Sequence, residues 1–118
     1  MTSLDHPYSV AFDTGEFVYV SGALSVDVQG IAVSGRMPAI SAALATLERR
    51  LGTVGLGLEN VAKTTYYVTD VSLRDEANEH FAAAFAEPRP ARTFVEVAAL
   101  PYGCTVEIEA VATRRALR

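Results

Sequence analysis

The stretch Pro90-Ala91-Arg92-Thr93-Phe94-Val95-Glu96-Val97-Ala98-Ala99-Leu100-Pro101-Tyr102-Gly103-Cys104-Thr105-Val106-Glu107-Ile108-Glu109-Ala110 decides how the chain is read. It reads as two short strands joined by a Pro/Gly-containing connection. Strand side chains alternate between faces. The first strand, about Arg92 to Ala98, therefore sets Arg92, Phe94 and Glu96 against Thr93, Val95 and Val97. The second, about Thr105 to Ala112, sets Glu107 and Glu109 against Val106, Ile108 and Ala110. One arginine and several carboxylates thus sit in otherwise apolar strands. They form either the solvent face of a half-buried sheet or the lining of a site.

Upstream, Pro88 and Pro90 stop a helix read from Asp75 to Ala86, whose buried stripe is Ala77, Phe81, Ala84 and Phe85. Ser72, with Asp75 three residues on, resembles a capping-box start. Before it, Asn60 to Thr69 is dense in Val, Thr and Tyr and reads as a strand. Met37, Ile40, Leu44, Leu47 and Leu51 recur at steps of three and four and mark one face of a helix, with Pro38 in its first turn. Glu48, Arg49 and Arg50 fall mostly off that face, and Gly52, Gly55 and Gly57 end it. Leu24 to Val33 reads as an irregular strand or loop broken by Gly30. Pro7 to Phe12 and Phe17 to Gly22 form a hairpin around an Asp13-Thr14-Gly15-Glu16 turn.

The order is β-β-(β)-α-β-α-β-β, which predicts a single α+β domain over 1–118 with two helices on one face of one sheet. The uncovered face would expose Val, Tyr and Phe, so burial against another subunit is expected. Half of the 118 residues are hydrophobic and 20% are charged, enough apolar material for a core. The net charge of −4 argues against coating nucleic acid. The basic tail from Arg114 to Arg118 reads as a solvated end. A single cysteine excludes an intrachain disulfide and a cysteine-based metal cluster. Met1 to Pro7 is polar and lacks the pattern of a signal peptide, and no apolar run is long enough to span a bilayer, so a cytoplasmic protein is expected.

On residues alone the candidates have plain alternatives. Arg92 is a carboxylate clamp or a surface arginine paired with Glu96 or another acid, and the second is favoured. Of Glu107 and Glu109, one is a general acid/base that orients water or both are a solvated face, and again the plain reading leads slightly. The five tyrosines, Tyr8 among them, read as core or interface aromatics. Asn78 inside a helix hints at a specific hydrogen bond. His6 and His80 are too isolated for a metal site, and Cys104 has no nearby His partner to make it a nucleophile.

Taken together, the chain resembles the RidA/YjgF family of enamine/imine deaminases over nearly its whole length. The resemblance rests on Pro7-Tyr8-Ser9, Val18-Tyr19-Val20-Ser21-Gly22, Val61-Ala62-Lys63-Thr64-Thr65 and Val68-Thr69-Asp70, and Asn78-Glu79 with Phe85. It is sharpest in Pro90 to Pro101 followed by Val106 to Ala110. It implies a chorismate-mutase-like fold, a homotrimer with sites in clefts between subunits, and hydrolysis of 2-enamino or 2-imino acids to 2-keto acids and ammonia. No metal and no organic cofactor are implied. By position, Arg92 matches the arginine that holds the substrate carboxylate, and Glu107 the glutamate that positions the attacking water. Tyr8, Ser21 and Asn78 match pocket residues, and Gly22 a position whose backbone meets the ligand. The chain also departs from the pattern. Phe94 stands where many members have Cys, Ala23 replaces the usual Gln, Leu24-Ser25 lacks the usual Pro, and Gly35 to Ala39 differs. These departures indicate a divergent subgroup and leave a non-catalytic trimer that binds a small carboxylate metabolite as the alternative.

Overall fold

The computed structural model describes residues 6–118. The first five residues of the Met1–Pro7 segment read above lie outside them. Seven elements carry the fold: β1 (Ala11–Asp13), β2 (Phe17–Leu24), α1 (Arg36–Gly52), β3 (Val61–Val68), α2 (Arg74–Ala84), β4 (Ala91–Glu96) and β5 (Val106–Thr113). They make one five-stranded mixed sheet in the order β1-β2-β5-β3-β4 and two helices. The optional third strand is a loop with one isolated bridge, Val26 to Ala32.

The two strands of the 90–110 stretch do not pair with each other. β4 joins the sheet edge parallel to β3 with α2 as the crossover, while β5 inserts antiparallel between β2 and β3. Parallel neighbours need such a crossover, and β3-α2-β4 supplies it. The chain then crosses from the edge to the centre before β5 begins.

The core lies between the sheet and the helices. Ile40, Leu44, Leu47 and Leu51 of α1 are buried in one cluster with Val18 and Val20 of β2 and Ile108, Ala110 and Ala112 of β5. Tyr66 of β3, Phe81 of α2 and Phe85 belong to the same cluster. Phe85 adopts extended backbone just after α2, so the helix ends two residues before the expected Ala86 while its aromatic stripe stays buried. The helix start also differs. Asp70, not Ser72, caps the 3-10 turn before α2, its carboxylate accepting from the Ser72 N–H at 2.9 Å.

Alternation leaves Phe17 and Tyr19 on the other face of the sheet, with Phe12 paired beside Tyr19 and Val95 beside Tyr67. Phe12 is 59% and Tyr19 49% exposed, so an aromatic face is uncovered in the single chain. The basic tail is exposed at Arg114, Arg115 and Ala116, as expected of a solvated end, but Arg114 and Arg118 also tie it to the fold. Arg114 pairs with Asp13 and donates to Val54 O, while Arg118 Nε donates to Pro88 O at 2.6 Å. Loop carbonyls that no strand or helix satisfies give the arginines their partners. Among the described residues no helix is long and apolar enough to cross a membrane.

Candidate functional site

β4 is the outer strand and its alternation is as the sequence predicts, but the face assignment is not the solvated one. Arg92 lies beside Thr64 and Phe94 beside Tyr66, both partners wholly buried under the helices. Arg92 therefore points to the helix-covered side at an open sheet edge. Its guanidinium carbon sits 5.3 Å from the Tyr66 ring centre, 5.1 Å from Phe81 and 5.0 Å from Phe94. Cations are attracted to such ring faces, more so when water is excluded. Asn78, one helical turn before Phe81, accepts from Arg92 Nη2 through its side-chain oxygen. This is the specific hydrogen bond its place in a helix hints at. The plain alternative, a pair with Glu96 or another acid, is not formed among the described residues: Glu96 instead accepts from the Val71 N–H at 2.8 Å, and no other carboxylate pairs with Arg92.

Two polar atoms of this cage have no partner among the described residues: Arg92 Nη1 and the Tyr66 hydroxyl. Burial pulls the Arg92 pKa down and pushes the Tyr66 phenol far up, and each group's field opposes the other's shift. Arg92 stays a cation and Tyr66 a neutral phenol. A fixed guanidinium with unused donor capacity at a dry, aromatic edge can take up a planar anion such as a carboxylate.

Glu107 is built differently. It lies on the uncovered face, in register with Tyr67 of β3 and Leu24 of β2. The β2–β5 register shifts between Val20 and Ala23, a bulge that brings Gly22, next in the chain to Ser21, up to it. A Cβ on Gly22 would meet Glu107 Oε2 at 2.5 Å, so only glycine allows the carboxylate to lie there. Ser21 is tied to the N-terminal segment, its hydroxyl donating to Ser9 O at 2.7 Å and its N–H to Val10 O at 3.0 Å. Burial first, and then the charge of Glu109, push the Glu107 carboxyl above its ordinary value, with Arg50 pulling it back. Glu109 is engaged elsewhere, accepting from the Tyr67 hydroxyl at 3.0 Å. Tyr8 is half exposed and stacked on His6.

The predicted residues thus fall into two groups. Arg92, Asn78 and Phe94 gather under α2 at the β4 edge. Glu107, Ser21 and Gly22 lie at the β2 bulge on the opposite face, with two strands, β5 and β3, between β2 and the outer strand β4. Within one chain Arg92 and Glu107 do not share a cleft.

Sequence reasoning missed three members. Tyr66 and Phe81 wall the Arg92 cage, and Arg50 of α1 donates through Nη1 to Ser21 O at 2.8 Å and Gly22 O at 2.9 Å. Tyr66 and Phe81 carried only a core signal, and the Tyr66–Phe94 pairing depends on a parallel register that no local pattern encodes. Arg50 read as a helix-surface charge. Among the described residues no group of three or more His, Cys, Asp or Glu could hold a metal ion. Cys104 is buried, and the Ser41 hydroxyl meets His80 Nε2 at 3.0 Å across the two helices.

Comparison with known proteins agrees with this architecture. The human 2-iminobutanoate/2-iminopropanoate deaminase is 37% identical over 108 residues, covering 90% of this chain and 79% of that protein. A RutC family protein of Pyrococcus horikoshii is 35% identical, covering 90% and 86%. The crystal structure of RidA from the Antarctic bacterium Psychrobacter sp. superposes with a TM-score of 0.87 at 34% identity, covering 92% of this chain and 89% of that one. Residues 2–114 match the family model described as Endoribonuclease L-PSP, and the chain belongs to that family, the RidA/YjgF family.

Proposed function

We propose that the chain is a hydrolytic deaminase of reactive 2-enamino and 2-imino acids, releasing 2-keto acids and ammonia. In this reading Arg92 holds the substrate carboxylate and Glu107 positions the attacking water. Asn78 orients Arg92, Phe94 and Tyr66 wall the pocket, and Tyr8, Ser21 and Gly22 line the Glu107 side. The observation that carries it is the Arg92 cage, a guanidinium fixed by Asn78 and three rings with Nη1 unpaired. Relatives bearing the deaminase name at 34–37% identity support the same chemistry.

A protonated imine is already electrophilic. The protein has only to fix the acid end, place a water and accept its proton. An ionised Glu107 against the Gly22 backbone suits that last task. Since the two groups lie on opposite faces, the complete site is assembled from two copies, Arg92 from one and Glu107 from the next. The uncovered face with Phe12, Tyr19 and Val95 supplies apolar surface for that contact, and a closed homotrimer is the assembly we infer. The endoribonuclease of the family description gains no support from a chain of net charge −4.

The test is ammonia and keto-acid release from freshly generated 2-imino acids, with Arg92→Ala beside the wild type. No acceleration over buffer for any of several side chains would sink the reading. The Phe94 ring packed against Arg92 favours a second reading, a trimer that captures a carboxylate metabolite without turnover. Calorimetric binding of 2-keto acids with no imine hydrolysis would support that one.

A further inference from the structure

Arg50 is a second cation on the Glu107 side, and neither the mechanism above nor the sequence reading uses it. It stands near the C-terminal end of α1 and is half-buried. A guanidinium has five N–H donors. The bonds to Ser21 O and Gly22 O engage Nη1 alone. Among the described residues no acceptor lies within hydrogen-bond reach of Nε or Nη2, and no carboxylate forms an ion pair with Arg50. Neither nitrogen is among the sealed, unpartnered atoms. Burial, with a smaller push from Arg49, pulls its pKa below the ordinary value, and the fields of Tyr8 and Glu107 act against that.

Arg50 also lines a cavity of about 460 Å³, with Leu24, Gln29, Thr46 and Tyr102 among its walls and no Asp or Glu among them. Leu24 is the strand partner of Glu107, so this cavity adjoins the place assigned to the attacking water. Tyr102 is the one described non-glycine residue with positive φ, at 63°, and remains 75% exposed. Such a conformation is costly for a tyrosine and is kept where the surroundings impose it. It puts a phenol in the same cavity as Arg50. A partly desolvated guanidinium with free donors, in a cavity that Tyr102 also lines and whose walls carry no acid, makes a receptor for an anionic group, with Glu107 the neighbouring carboxylate an incoming anion must compete with.

We propose that this cavity is the side-chain subsite and that Arg50 selects 2-imino acids whose side chain ends in a carboxylate, that is, 2-imino dicarboxylic acids. The assignment rests on the deaminase reading and adds its substrate class. Arg92 takes the carboxylate next to the reacting carbon, and Arg50 takes the distal one. The reaction is unchanged. Water oxygen bonds to the imine carbon, the carbon–nitrogen bond breaks, ammonia leaves with the water's protons, and nothing is oxidised or reduced.

The experiment uses the full chain and imines made in situ by an amino-acid oxidase from aspartate or glutamate, against those from alanine or 2-aminobutanoate. The expected result is a kcat/KM for the acidic imines about tenfold or more above the apolar ones, a ratio that Arg50→Gln and Arg50→Met both collapse. Arg50→Gln keeps an amide donor for the Ser21 and Gly22 carbonyls, which separates loss of charge from loss of the bulge. Equal or faster turnover of the apolar imines with a ratio untouched by Arg50→Gln overturns the subsite. If no imine is hydrolysed faster than in buffer, the deaminase reading itself fails. Calorimetry with 2-oxoglutarate against 2-oxobutanoate then decides the subsite alone. Tighter dicarboxylate binding that Arg50→Gln abolishes upholds it, and equal binding overturns it.

Discussion

The Arg92 cage and the Glu107 bulge solve opposite problems. The cage surrounds a cation with three rings and one amide, on the covered side of the sheet, and is nearly complete within one chain. The bulge holds a carboxylate against backbone on the uncovered side and leaves it half-buried until something packs there. Rigid aromatic walls suit a group that must bind the same anion each time. A half-open carboxylate next to glycine suits one that must handle water and protons. Under the proposed function, a single copy owns two half-sites rather than one site.

The largest effects test that division. Arg92→Ala should cost about 2–4 kcal/mol of carboxylate binding, read as a loss of about thirtyfold or more in kcat/KM. Glu107→Gln should leave binding and remove turnover. Mixing the two inactive variants under refolding conditions is the sharper measurement. If each site draws Arg92 and Glu107 from different copies, random mixed assemblies regain up to about a quarter of wild-type activity. No recovery in assemblies shown to be mixed would break the two-copy arrangement.

Next in size is Gly22→Ala. The added Cβ would meet Glu107 Oε2 at 2.5 Å, so the carboxylate must swing away. A shift of about 1 Å at a catalytic group costs on the order of a hundredfold, so kcat should fall about ten- to a hundredfold while KM changes little. An unchanged kcat would remove Glu107 from the chemistry.

The pH dependence separates the two regions by stability. The Glu107 carboxyl titrates above its ordinary 4.5 in the folded chain. Between 4.5 and that raised value the folded state holds more protons than the unfolded one, so stability falls as pH rises through this window and stays lower above it. Glu107→Gln removes that loss, and the variant should melt higher than wild type at neutral pH even though it is inactive. Turnover of the wild type should decline as pH drops through the same window. A melting point lowered by Glu107→Gln at neutral pH would mean that the carboxylate is held by partners rather than strained by burial.

Much of this was legible in the residues. The alternation in β4 and β5 put Arg92 with Phe94 and Glu107 with Glu109, as the structure has them. The steps of three and four between Ile40, Leu44, Leu47 and Leu51 located α1 and its buried face. What no local pattern could supply was strand order. Arg92 reads as a solvated charge until β4 is known to lie parallel to β3, beneath α2, where Tyr66 and Phe81 become its walls. Arg50 is hidden for the same reason, since its partners are the carbonyls of a bulge 28 and 29 residues earlier. The tail's attachment is a third case, because Arg118 finds its acceptors only once the loops around Leu58 and Pro88 are folded.

The smallest expected effect lies in the wall of the cage. Tyr66 is wholly buried, and its hydroxyl has no partner among the described residues. Its ring packs against Phe81 with centres 6.1 Å apart and against Phe94 at 6.0 Å. Tyr66→Phe keeps those contacts and the ring beside Arg92, and removes only a buried polar atom. Leaving such an atom unpaired costs about 1–3 kcal/mol, so the substitution should stabilise the chain by about 1 kcal/mol, a rise of about 4 °C in Tm. The opposite sign would be as informative. A lower Tm would show that the hydroxyl is paired in solution, and with Arg92 Nη1 unpaired in the same cage, a bridging water would be the group to look for there.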